Sequence, residues 1–104
     1  MNPKPLYIDE STLATILSEK ATALDPPASV WWSEFAVKPF IATHSESPHY
    51  VVAQQDRHII FFADDEDEFG TGLLTEEREI DSYGLVGDLI DAIRICQDRH
   101  ERLR

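Results

Sequence analysis

Between His58 and Gly72 the chain passes from Ile59-Ile60-Phe61-Phe62, through five consecutive carboxylates, to Phe69-Gly70-Thr71-Gly72. This stretch restricts the fold more than any other. Successive strand side chains point to opposite sides, so a run of four large apolar residues predicts a central strand covered on both faces. The acids that follow, Asp64, Asp65, Glu66, Asp67 and Glu68, cannot continue into a core, because isolated buried carboxylates are strongly unfavourable. They lie on a surface, at the exit of that central strand.

The flanking segments extend the pattern. Residues 49–54 and 58–63 are β-rich and joined by Gln54-Gln55-Asp56-Arg57, which predicts a hairpin. Residues 69–75 and 79–83 predict a second hairpin through Glu76-Glu77, with Gly70 and Gly72 marking a bulge or a close backbone approach. Ser45-Glu46-Ser47-Pro48 has the composition of a loop. Residues 28–44 read two ways. Trp31, Trp32 and Phe35 suit one turn of helix with Pro27 at its start, while Trp31, Ser33, Phe35 and Val37 alternate as a strand does. The reading adopted is a short helix or turn over about 28–34 and a strand over about 35–43.

Two helices close the pattern. The first is predicted over 10–24, with Asp9 as N-cap, Ile8 and Leu13 as a hydrophobic staple, and Leu13, Ile16, Leu17, Ala21 and Leu24 on one stripe. Asp25-Pro26-Pro27 ends it. The second is predicted over 85–99, where Val86, Leu89, Ile90, Ile93 and Cys96 make the stripe. Asp88 and Asp91 near its start, and Arg94, Arg99 and Arg102 toward its end, complement the helix dipole. Pro3 and Pro5 make residues 1–7 an extended lead-in, and 100–104 a basic tail. The fold class is α+β: one domain over 1–104, an antiparallel sheet of about four strands with an N-terminal and a C-terminal helix packed on one face.

The charge is concentrated. Of twenty acidic residues in a chain of net charge −11, eleven fall within 64–91, against the single base Arg78. Such a balance disfavours nucleic-acid phosphates and anionic membranes, which select basic surfaces, and favours a basic partner. No apolar run reaches the length of a membrane span, and Met-Asn-Pro-Lys-Pro has no signal-peptide character. With one cysteine, Cys96, the expectation is a cytoplasmic, bacterial-type protein.

The remaining constellations point away from catalysis and from metal. Counted from Asp65, an EF-hand template finds Asp65, Asp67, Gly70 and Glu76 but Phe69 where a ligand oxygen is needed. His44, His49, His58 and His100 show no helical pairing, and His44 and His49 flank a proline loop that fixes no geometry. Cys96 sits on or beside an apolar stripe, as a buried thiol does. Gly70-Thr71-Gly72 lacks the lysine and helix of a phosphate loop. Trp31 and Trp32 suit core packing, although adjacent strand positions face opposite ways and leave one as an interface anchor.

The expected function is therefore that of a small non-enzymatic protein-binding domain, with no cofactor and no metal, that neutralises a basic partner. An inhibitor of a nucleic-acid enzyme or a toxin-immunity protein is of this type. The expected interface is Asp64, Asp65, Glu66, Asp67 and Glu68, extended by Glu76, Glu77, Glu79 and Asp81, with Trp31 or Trp32 as apolar anchor. The alternatives are a self-associating module, a homodimer whose acids serve solubility, and, more weakly, a metal-binding protein.

Overall fold

Three helices cover one face of a coiled five-stranded antiparallel sheet in a computed structural model that describes Leu6 and residues 8–102. The elements are α1 (Glu10–Thr22), α2 (Pro26–Phe35), β1 (Ala36–His44), β2 (Ser47–Gln55), β3 (His58–Ala63), β4 (Glu68–Leu74), β5 (Ile80–Gly87) and α3 (Leu89–Arg102). The strands follow one another as a meander in the order β1-β2-β3-β4-β5. Apart from Leu6, the extended lead-in expected over 1–7 lies outside the described residues.

β3 is the central strand expected, buried along its whole length. Its side chains alternate between two apolar clusters. Ile60 and Phe62 face the helices with Leu13, Trp31, Phe69, Leu89 and Ile93. Ile59, Phe61 and Ala63 face the opposite side with Ala42, Val51 and Ile80.

That second cluster has no helix over it. It is enclosed because the sheet coils until its first and last strands meet. The Thr43 N–H donates to the Arg78 carbonyl at 3.0 Å, and a parallel bridge joins Thr43 to Glu79. Bulges in β1/β2, β2/β3 and β4/β5 supply the extra twist that such coiling needs. At the β2/β3 bulge, Val51 joins the inner cluster whereas Val52 and Ala53 both join the helix-side one.

The two glycines of β4 are used as expected. A Cβ on Gly70 would stand 2.4 Å from the Phe61 ring, and one on Gly72 would stand 2.5 Å from the Asp81 carbonyl oxygen. Phe61 thus lies flat across β4, and β5 approaches β4 more closely than any side chain allows.

Four boundaries differ from the sequence reading. The sheet has five strands rather than about four, because β1 pairs with β2 at Ala36 and again, past a bulge, from Phe40 to His44. The short helix or turn expected over about 28–34 is the helix α2, which starts two residues earlier: Asp25 caps it by accepting from the Ala28 N–H at 3.0 Å, with Pro26 and Pro27 in its first turn. α3 begins at Leu89 instead of Leu85, since Leu85 pairs with Gly70 in β5 and Gly87, at φ +91°, makes the break. Of the basic tail expected over 100–104, residues 100–102 continue α3, and 103–104 lie outside the described residues. No helix among the described residues is long and apolar enough to cross a membrane.

Candidate functional site

The sheet closes at Thr43 and Glu79; β1 ends at His44 while β5 runs on to Gly87, which leaves a gap beside β5. The gap becomes a cleft of about 370 Å³ bounded by the β1–β2 turn, the second half of β5 and the β3–β4 turn. Phe61, Ala63 and Leu85 make its apolar lining. Ser45, Ser47 and Ser82 add hydroxyls, and Asp65 and Glu66 stand at its edge. His44 and His49 complete it. The His44 Nδ1 lies 3.2 Å from the Ile80 carbonyl oxygen, so the ring is tied to the closing seam.

His49 is only 7% exposed and packs at 5.4 Å from the Phe61 ring centroid. Tyr50 pairs with Phe62, so the residue before Tyr50 lies beside the end of β3, where the acidic run leaves the sheet. A ring nitrogen of His49 and carboxylate oxygens of Asp64 and Asp65 consequently lie within 4.8 Å of one another. The N-terminal segment holds this corner. The Ile8 N–H donates to Asp64 Oδ2 at 3.2 Å, and the Tyr50 hydroxyl donates to the Ile8 carbonyl at 3.0 Å. Burial, with the negative charges of Glu10, Asp64 and Asp9, raises the Tyr50 pKa above its usual value, so its hydroxyl remains a proton donor.

The nine acids expected to form one surface are divided. The β3–β4 turn carries Asp64, Asp65, Glu66 and Asp67, with Glu68 beginning β4; Glu76, Glu77 and Glu79 lie in the β4–β5 turn and Asp81 at the start of β5. Hairpin pairing of Ala63 with Glu68, and of His58 with Leu73, puts these groups at opposite ends of the sheet. Seven residues of β4 separate them by about 20 Å. Among the described residues, Glu66, Asp67, Glu68, Glu76, Glu77, Glu79 and Asp81 enter no ion pair, whereas Asp25, Asp56, Asp88 and Asp98 do.

The tryptophans divide as well. Trp31 is 5% exposed and its indole N–H donates to Gln55 Oε1 at 3.1 Å, which makes it a core residue rather than a surface anchor. Trp32 is half-buried against the same core. Phe69, at the oxygen position that the EF-hand template requires, is buried beneath the helices, and strands flank the acidic turn. Cys96 is 2% exposed, and burial pushes its thiol up to about 12.

The sequence reading missed the cleft and its two histidines. His49 and Asp65 are sixteen residues apart, and only the register of β2 on β3 joins them. Comparison with protein-family models, with curated proteins and with solved structures gives no match.

Proposed function

We propose that this protein is a small binding domain that neutralises a basic partner, as inhibitors and toxin-immunity proteins do, using the sheet end formed by the β3–β4 turn and the cleft. The observation that carries this reading is an apolar-lined cleft with exposed carboxylates, uncompensated at Glu66 and Asp67, beside it. An arginine or lysine side chain has matching parts: an aliphatic stem for the exposed Leu85, and a cationic head for the carboxylates. Charge on a short, well-anchored turn also speeds encounter with an oppositely charged surface. The second acidic group, near Glu76 and Glu77, faces the other way and serves solubility in this account.

A titration with an oligo-arginine peptide, followed by backbone amide shifts, tests which end binds. The expected shifts fall on residues 44–49, 64–68 and 82–85, diminish at high salt, and vanish when Glu66, Asp67 and Glu68 are replaced by Gln, Asn and Gln. Shifts centred on residues 75–81 contradict the assignment. Self-association is the competing reading, favoured by exposed Val30 and Ile41; a concentration-independent monomer in sedimentation excludes it.

A further inference from the structure

We propose that His49, Asp64 and Asp65 form a binding site for a divalent first-row transition ion, of which Zn²⁺ is the type. The inference is independent of the partner-binding reading, because it concerns the corner where β2 meets the end of β3 and needs no partner.

Three features of the corner support it. The donor set is mixed, with one imidazole and two carboxylates whose ligand atoms lie within 4.8 Å of one another. Imidazole with carboxylate suits zinc and its neighbours, whereas calcium and magnesium sites are built from oxygen alone. The donors also come from two elements that are fixed independently. His49 is buried on β2 against Phe61, and Asp64 is held by the Ile8 N–H. Groups that orient ligands in this way raise affinity by limiting the rearrangement on binding. Finally, the set is incomplete by design of the cleft. Three protein ligands leave a fourth position of a tetrahedral ion open, and the cleft lies against His49 and Asp65. A water molecule or a donor atom from a bound molecule completes the coordination there.

The chemistry separates this corner from the EF-hand reading of the same acids. That template uses the linear sequence from Asp65 onward and fails at Phe69. The present site uses only the first two acids of the run and takes its third ligand from another strand.

The test uses the full, tag-free chain titrated with Co²⁺ and, separately, with Zn²⁺ against a chromophoric chelator. The expected result is one ion per chain, with a visible d–d absorption in the Co²⁺ form that Zn²⁺ displaces and equimolar Ca²⁺ or Mg²⁺ does not. Asp64→Asn and Asp65→Asn should each weaken Zn²⁺ binding by about tenfold or more, and His49→Ala should abolish the Co²⁺ band. Glu76→Gln with Glu77→Gln, at the far end of the sheet, should change neither. His49 is buried, so if its variant loses the native circular dichroism spectrum, the two surface aspartate variants decide. Absence of the band, unchanged Zn²⁺ affinity in both aspartate variants, or equal loss in the far-end control overturns the assignment.

Discussion

At the scale of single residues, burial decides the chemistry of the titratable groups under the helices. His58 is 7% exposed, and its Nδ1 has no hydrogen-bond partner among the described residues. Burial first, and then the neighbouring His100, hold its pKa below the ordinary value of 6.5, with Asp56 opposing them. The unfolded chain therefore takes up this proton at a higher pH than the folded one does. The His58 contribution to stability is complete above pH 6.5 and is lost as the pH falls from there through the lowered folded value. Replacing His58→Leu should flatten the decline in denaturation free energy between about pH 7 and about pH 5; an unchanged profile assigns that decline to other groups. Cys96 supplies a second check. With its thiol at about 12 and its side chain buried, it should resist iodoacetamide at mildly alkaline pH in the native state and react once the protein is unfolded. Fast labelling of native protein contradicts its place in the core.

At the scale of elements, two local devices shape the site. Gly72 lets β5 approach β4, and the coiling that follows brings Thr43 to Arg78 and opens the cleft beyond. Gly72→Ala should destabilise the fold by roughly 1–3 kcal/mol in urea unfolding, because the obstacle is backbone and not a movable side chain. Stability equal to the parent removes the close approach from the account. Asp25 caps α2 through one carboxylate oxygen and meets Arg94 of α3 at 3.2 Å through the other. Asp25→Ala should cost about 1 kcal/mol. Asp25→Asn keeps a capping oxygen and loses only an exposed ion pair, so its cost should be smaller. Equal costs identify the ion pair, not the cap, as the main contribution.

These elements also show what was legible in the sequence. The N-cap at Asp9, the double-sided apolar run of β3, both downstream hairpins and the close approach at the β4 glycines are local patterns, and each is present in the fold. Residues 28–35 satisfied two periodicities at once, and the choice fell to the Asp25-Pro26-Pro27 start, which favours a helix. Leu85 and Val86 fit either an early helix or a late strand, and pairing with β4 decided for the strand. The cleft was not legible. His49 meets Asp64 and Asp65 only through cross-strand register, and the seam between β1 and β5 depends on accumulated twist that no short window of sequence records.

For the molecule as a whole, nine of the twenty acidic residues are divided between two opposite ends of the sheet, five at the β3–β4 turn and four at the β4–β5 turn, not gathered on one face. Each end sets acids beside a cleft, but the far one, lined by Leu74, Glu76 and Glu77, also contains the cation Arg57, whereas the one at the β3–β4 turn has no lysine or arginine among its lining residues, and it is this end that we assign to the partner. The most direct test of that claim is capture from the host at low salt with three baits: the parent, the near-end variant Glu66→Gln/Asp67→Asn/Glu68→Gln, and the far-end variant Glu76→Gln/Glu77→Gln/Glu79→Gln/Asp81→Asn. One basic protein should be retained by the parent and by the far-end variant, released at high salt, and lost from the near-end variant. Retention by the near-end variant, or loss only from the far-end one, contradicts it.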